Sequence, residues 1–512
     1  MKKRTLATLL ALLLCLSLGA TALAGDVTPK AGGTLRVGTS TTPTVIGYTP
    51  EVTQNVQIVF LRTAYESLLF YDEDGALIPQ LADTWSVDPD AATITFTLVP
   101  DVKFSDGTDF NAEAVKWNLE QYQAKGRTEV GAIDTIECPD DLTVLISLKA
   151  WNSSALESIG FFVYYMSPTA VTENGEDWAR QNTSGTGPFV LTEWNQGVSV
   201  KYERNPNYRV AGQPYLDGIT FTTITETSTT ENALRNGELD MVHNAAVDVI
   251  RSVEPEGTFI ITRNQNGVGL EMTGLIPSSD DPDDPFYDAR VRQAMCYGFD
   301  ADTVVSVLGY GYYSRTNQWA APGASTYNPD VQGYEYNPEK AKELLAEAGY
   351  ADGFDTTFWG PAGMENWMVA IAGQLEEIGI RAKIELIDGA KQGDLMANGW
   401  DGLFFHWASI SPDLGLYMGR HLDVNGAYYA AGIQHPDDCM ELLEQIRTAK
   451  DDETKQAYSW ELQKLIYDEY ALFGEPLYIT LLAAIKYPYV MDDNLTVFAS
   501  AAWTPAQTWL DK

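Results

Sequence analysis

Cysteine and histidine are scarce in this sequence. Four cysteines in 512 residues, Cys15, Cys138, Cys296 and Cys439, give neither a disulfide framework nor a zinc spacing. The last three are expected to be small buried apolar residues. Four histidines, His243, His406, His421 and His435, show no close metal-ligand spacing, so no metal site and no cofactor are expected from the protein alone. The nucleophile elbow GxSxG, the zincin HExxH, the P-loop GxxxxGK and the dinucleotide GxGxxG are all missing. With 71 acids some carboxylate pair is inevitable, but nothing singles one out as a glycosidase dyad. The chain is therefore not expected to be an enzyme. Basic residues are few: 33 Lys and Arg against 71 Asp and Glu give a formal charge of −38. Such a surface repels nucleic acid and anionic membranes. It also disfavours a strongly anionic ligand unless a local basic pocket overrides the field.

Long hydrophobic runs are absent too. The longest opens the chain, with Met1-Lys2-Lys3-Arg4, an apolar core from Leu6 to Leu18, and Ala22-Leu23-Ala24. This is the order of a secretory signal peptide over residues 1–24, and the run is short of the ~20 residues needed to span a bilayer. Cys15 lies nine residues before the expected cut, behind Leu12-Leu13-Leu14, which is not a lipoprotein arrangement. The mature protein is expected outside the cytoplasmic membrane, in the periplasm or cell exterior. Losing three basic residues and no acids makes it more negative still.

What is present is a large apolar content and clear local patterning. A hydrophobic fraction of 45% supplies an ample core. Ile94, Phe96 and Leu98 alternate with threonines, as do Val144, Ile146 and Leu148 with polar neighbours, so both runs read as strands. Asn337-Pro338 starts a helix whose apolar face is Ala341, Leu344, Leu345 and Ala348, with Gly349 as its stop. A strand near Trp359, a helix through Ile371, Leu375 and Ile378, and a strand at Ala382–Ile387 form an α/β unit with a parallel pairing. Ligands bind beyond the carboxyl ends of such strands, which puts the loop from Trp359 through Met364 to Asn366 at a cleft. An acidic loop at 277–285 departs from the EF-hand pattern, with Pro285 and Val291 where Gly and Glu belong, and reads as a solvated loop.

The stretch Gly185-Thr186-Gly187-Pro188-Phe189 combines a stiff proline turn with glycines of permissive φ. It is followed by an alternating strand, Arg204-Asn205-Pro206-Asn207-Tyr208, and Gly237-Glu238-Leu239-Asp240. Upstream come Tyr65-Glu66-Ser67-Leu68, Pro79 to Trp85, and Lys103-Phe104-Ser105-Asp106-Gly107. Downstream come Asp288 to Ala294 and Asn337 to Tyr350. Motifs in this order closely resemble the family 5 extracellular solute-binding proteins of ABC transporters, the peptide-, nickel- and oligosaccharide-binding relatives. The resemblance implies an α/β, two-lobed periplasmic-binding-protein-like fold (type II, cluster C) with an extra domain in the first lobe. It implies domain I from 25–57, 185–268 and 481–512, domain II from 58–184, and domain III from 269–480. Arg290 and Arg292 are expected to pair with nearby carboxylates.

The resemblance also places site residues. The loop after the first strand faces the cleft in that family, which nominates Thr39, Ser40, Thr41 and Thr42. It puts Trp359, Trp400, Trp407 and Trp503 near the cleft, where aromatic faces could stack on sugars or cover peptide side chains. In peptide-binding relatives an Asp after the WDGLFFHW-like strand pairs with the peptide's amino group. Here that position is Ser411, with Asp413 two residues on, so either the acid is lost or Asp413 serves instead. The implied function is capture of a peptide-like ligand by hinge closure of two lobes, followed by docking of a monomer on an ABC permease in the membrane. An oligosaccharide-binding member of the same family, and a secreted glycan- or peptide-degrading enzyme, are the alternatives.

Overall fold

The computed structural model describes residues 28–511 apart from 53–56, 73–74, 264–270, 321, 323, 410–412, 425, 427, 475–476, 480–481 and 493–502, and without the side chains of 271–272, 407–409 and 478–479. The expected signal peptide and Ser411 lie outside the described residues, as does the side chain of Trp407.

Among the described residues three sheets have four or more strands. A seven-stranded sheet gathers Thr34–Thr39, Phe189–Asn195, Ser199–Arg204, Gly218–Thr223, Met241–Val242, Phe259–Arg263 and Leu482–Lys486. A four-stranded antiparallel sheet is made of Ala82–Asp88, Thr93–Leu98, Thr143–Leu148 and Ile133–Asp140. A six-stranded sheet holds Glu271–Pro277, Ser314–Arg315, Phe354–Pro361, Ile380–Ile387, Leu403–Ser409 and Leu477–Ile479. The alternating run Ile94, Phe96, Leu98 buries its three apolar side chains and leaves the threonines outward, as period-2 geometry requires.

One continuous core joins residues far apart in sequence. Leu35 and Val37 pack with Val59, Phe60 and Tyr65, with Tyr164 and Met166, and with Phe189, Phe221, Ile485 and Trp503. The four-stranded sheet has its own core, which includes Leu68, Val163 and Tyr165, chain neighbours of Tyr65 and Tyr164, so the seven- and four-stranded sheets belong to one lobe. The turn at Gly185 and Gly187 is the seam: Gly187 N donates to Ala64 O at 3.0 Å, and Ser105 N to Gly185 O at 2.8 Å. Neither glycine has a positive φ. Their need is for close approach, since a Cβ would sit 2.2 Å from Ala64 O at Gly185 and 2.4 Å from Ala64 C at Gly187. That corrects the expectation of permissive φ.

The second lobe is built on the six-stranded sheet. Phe354–Pro361 and Ile380–Ile387 pair in parallel around the helix Glu365–Glu377, the α/β unit read from the sequence. Asn337 caps Pro338–Glu347 through Lys340 N at 3.0 Å. Arg290 pairs with Asp288, but Arg292 corrects the expectation: it donates to the carbonyls of Phe286, Tyr287 and Tyr470 and to Gln434, with no carboxylate partner among the described residues.

Among the described strands, two pairs mark crossings between the lobes. Phe259–Arg263 leads from the first lobe to Glu271–Pro277, and Leu477–Ile479 leads back to Leu482–Lys486. Arg263 is paired with Leu482 on one side and Glu271 with Ile479 on the other. The two crossings are thus flanked on both sides by antiparallel strand pairs.

Candidate functional site

In each lobe the parallel strands end toward a set of loops. In the first, Thr34–Thr39 runs parallel to Gly218–Thr223 and Met241–Val242, ending at Thr39, Thr223 and Val242. In the second, Phe354–Pro361 runs parallel to Ile380–Ile387 and Leu403–Ser409. The loops beyond these ends are where open α/β sheets bind ligands.

Thr39, Thr41 and Thr42 form a closed polar turn. Thr39 Oγ1 lies 3.1 Å from Thr41 Oγ1 and accepts from Thr41 N at 3.2 Å, while Thr42 Oγ1 accepts from Gly197 N at 3.3 Å. Thr39 is buried and Ser40 is the exposed member of the four. Trp359 is half-buried and donates Nε1–H to Asp401 O at 2.9 Å, and Trp400 is buried with its Nε1 3.3 Å from Ile276 O. Met364 is half-buried against the second-lobe core and Asn366 is exposed on the first turn of its helix. Trp503 is fully buried in the first-lobe core, edge-on to Phe221 and stacked on His243 at 5.9 Å.

Asp413 stands where the lobes meet. It caps the helix Leu414–Leu422 through Leu416 N at 3.0 Å, accepts from Ser154 Oγ of the first lobe at 2.9 Å, and pairs with Lys455. Burial pushes its carboxyl up, but Lys455, then the Leu416 N–H and Ser154, more than offset this and hold it below the ordinary aspartate value. Around it, Ser153 Oγ donates to Ile446 O and Trp151 Nε1 to Ala449 O, both at 2.7 Å; Lys455 Nζ reaches Ser153 O at 3.2 Å. Arg420 places its guanidinium 5.3 Å from the Phe162 ring, and Lys450 pairs with Asp90. Gly415 permits this approach, since a Cβ there would lie 3.1 Å from Ser154 Oγ. At another point of contact between the lobes Arg251 lies 3.7 Å over Tyr310, and Tyr312 donates to Glu254.

Sequence reasoning missed the first-lobe half of this contact. Trp151, Ser153 and Ser154 follow a strand as an ordinary polar segment, and their partners lie some 260 to 300 residues away. Arg62 was also missed, although a lone charge inside Ile58-Val59-Phe60-Leu61-Arg62-Thr63-Ala64 was a visible signal.

A second polar cluster lies behind the second-lobe loops. His406 and His421 meet Nε2 to Nε2 at 3.1 Å, enclosed by Trp319, Tyr417, Tyr428 and Phe473. His421 Nδ1 lies 3.1 Å from Tyr417 O, so it carries the proton, and His406 Nε2–H must donate to His421 Nε2. Burial pulls His421 down to about 4 and His406 well below its ordinary value. No group of three or more potential metal ligands occurs among the described residues.

The model of the bacterial extracellular solute-binding proteins, family 5 middle, matches residues 76–428. The glutathione-binding protein GsiB of Pectobacterium atrosepticum is 30% identical over 340 residues, and that of Salmonella typhi 31% over 343. Each match covers 65% of this chain, and the chain spans 65% of the length of these relatives. Among solved structures, the Helicobacter pylori DppA bound to the peptide STSA superposes with a TM-score of 0.80 at 24% identity, covering 94% of this chain and 99% of that one. NikA from Brucella suis with Fe(III)-EDTA gives 0.81 at 22%, covering 92% and 98%. At these identities the likeness shows the fold, two lobes around a cleft. Together with the match over more than half of its length, it shows that this chain belongs to the family 5 bacterial extracellular solute-binding proteins.

Proposed function

We propose that this protein is an extracytoplasmic substrate-binding protein of an ABC importer, which closes its two lobes around a peptide-like ligand and carries it to a membrane permease. The observation that carries the reading is the inter-lobe contact of Ser154 with Asp413 and Lys455, set at the loop beyond the strand Leu403–Ser409. A contact between lobes joined by two antiparallel crossings can be made and broken by hinge motion. A ligand that touches both lobes stabilises the closed form by its differential affinity. The relatives named for glutathione and the neighbours holding peptides support a peptide-like ligand. The chain works as a secreted monomer in this reading, and the permease does the transport.

Asp413 already serves Lys455, Ser154 and the helix end. It is not the free carboxylate that would hold a peptide's amino group, so the ligand's charge is read elsewhere. The test is a thermal-shift screen of the mature protein against glutathione, di- and tripeptides, oligosaccharides and nickel chelates, with mass spectrometry of the recovered ligand. A ligand at about 100 times its Kd adds roughly 2.7 kcal/mol. A rise with peptides recovered intact is the expected result. A rise with oligosaccharides alone, or cleavage of the peptide, overturns the reading.

A further inference from the structure

Arg62 sits in the short helix Ile58–Ala64 and is 3% exposed. Its guanidinium lies 4.7 Å from the Phe70 ring centroid, 4.5 Å from Phe161 and 5.4 Å from Tyr164. Aromatic faces attract a cation but accept none of its N–H groups in conventional hydrogen bonds. Among the described residues Nε and Nη2 have no partner at hydrogen-bond distance, the Tyr164 hydroxyl being the polar group that interacts with the guanidinium, and Arg62 forms no ion pair. A buried charge left in this condition is costly. Burial accordingly depresses its pKa from the ordinary guanidinium value.

The two unpartnered nitrogens form one edge of the guanidinium, the edge that takes a carboxylate side-on with two parallel hydrogen bonds. Elsewhere in this molecule the same edge does so repeatedly. Arg180 holds Glu51 by Nε and Nη2, both at 2.8 Å; Arg127 holds Glu129 at 3.1 and 2.7 Å; Arg36 holds Asp240 at 2.9 and 2.5 Å. Arg62 alone among these four presents that edge to no protein carboxylate.

Its surroundings face the second lobe. Phe161 lies 4.4 Å from Tyr71 and 5.0 Å from Phe162, and Phe162 carries Arg420 from across the cleft. Burial, then the carboxylate of Glu157 and, less strongly, that of Asp413, hold the Tyr71 phenol well above its ordinary pKa. Phe161 and Phe162 end the helix Ala155–Phe162, which begins one residue after Ser154. Phe70 and Phe162 are only half-buried, so the cluster reaches the surface where Phe162 meets Arg420 of the second lobe.

We infer that Arg62 is the binding residue for a carboxylate of the captured ligand, taken side-on by its Nε–Nη2 edge beside the rings of Phe70 and Phe161. This rests on the ligand-capture reading above and names the group recognised. In a peptide-like ligand it is the terminal or a side-chain carboxylate. The local cation overrides the strongly negative field of the whole chain at this one point.

The experiment compares wild type, Arg62→Met and Arg62→Lys by calorimetry and thermal shift. The probes are Ala-Ala-Ala, its C-terminal amide, and succinate against sodium chloride at equal ionic strength. Wild type binds the acid at least ten-fold tighter than the amide, Arg62→Met binds the two alike, and Arg62→Lys, with charge but no fork, lies between. Without ligand, Arg62→Met melts above wild type, because an unpaired buried cation has been removed. Melting of ligand-free Arg62→Met below wild type, or failure to fold, makes Arg62 a structural residue and overturns the inference, as does a retained preference for the acid. If neither peptide binds wild type, the ligand-capture reading fails for these peptides and succinate decides for Arg62. Stabilisation of wild type but not of Arg62→Met supports a carboxylate site, and an equal response overturns it.

Discussion

Arg62 in the first lobe and Arg292 in the second are buried to nearly the same depth, 3% and 1% exposed, and their N–H groups meet opposite fates. Arg292 donates to three main-chain carbonyls and to Gln434, at 2.7 to 3.3 Å, and ties the segment before its helix to Tyr470. Arg62 has aromatic rings on its faces and, among the described residues, no hydrogen-bond acceptor on its Nε–Nη2 edge. Depth of burial does not separate the two roles; satisfaction of donors does. A satisfied buried cation is part of the fold, whereas an unsatisfied one beside an inter-lobe contact marks recognition.

The sharpest way to break that comparison is to remove both charges. Arg292→Met takes the side-chain donor from the carbonyls of Phe286 and Tyr470, while Tyr287 O keeps Gln434 Nε2 at 3.2 Å, and should cost about 3 kcal/mol of stability. The matching Arg62→Met should cost none in the ligand-free protein. Denaturant melts of the two variants measure the difference directly, and equal losses would dissolve the distinction.

The histidine pair gives the next largest effect. Burial lowers His421 from 6.5 to about 4. The folded state keeps this ring neutral where the unfolded chain protonates it, so the unfolded state binds more protons between those values. Its contribution is complete above pH 6.5 and is lost as pH falls toward 4, a span of about 3 kcal/mol. His421→Phe should remove this share of the slope in that window while leaving the share of His406, whose ring burial also holds well below its ordinary value, and the carboxylate-driven loss at lower pH, to which Asp413 contributes below its ordinary 3.8. An unchanged slope between pH 6.5 and 4 in that variant would move the effect to another group.

Asp413 is the satisfied carboxylate that answers to Arg62. Asp413→Asn keeps an oxygen for the Leu416 N–H and for Ser154, but takes the charge from Lys455, whose side chain is 18% exposed. A loss of about 2 kcal/mol is expected, below that of a fully buried broken pair because water reaches the ammonium. The same variant should leave preference for free-amine over N-acetylated tripeptides unchanged. A selective loss of the free-amine ligand would return Asp413 to the role that sequence reasoning held open for it.

Much of the fold was legible because its signals are local. Alternation at Ile94–Leu98, the cap at Asn337-Pro338 and the strand–helix–strand run through Trp359 and Ile387 each depend on neighbours within a few residues. The site was less legible because its meaning lies in pairs. Nothing near Asp413 in sequence announces Lys455, 42 residues on, or Ser154, 259 residues back. Trp503 reads equally well as a cleft aromatic and as a core residue, and Phe221 and His243, more than 250 residues away, decide that it packs inward. Arg292 looked like a carboxylate partner because carbonyl groups have no sequence signature.

Ser154 separates the lobes' contact from the fold of either lobe. Its hydroxyl donates to Asp413 Oδ1 at 2.9 Å, while Asp413 retains Lys455 and the Leu416 N–H when that hydroxyl is gone. Ser154→Ala therefore leaves no buried charge unpaired and should move the melting temperature of the ligand-free protein little. The neighbouring bonds from Ser153 to Ile446 and from Trp151 to Ala449 still hold the lobes together. What is lost is one inter-lobe hydrogen bond, about 1 kcal/mol, which weakens a ligand that requires the lobes in contact by roughly five-fold. Calorimetry with whichever peptide stabilises the wild type most reads this as a change in Kd at constant stoichiometry. A five-fold loss with an unchanged melting temperature assigns Ser154 to the closing equilibrium. An unchanged Kd would mean that ligand capture does not depend on this contact.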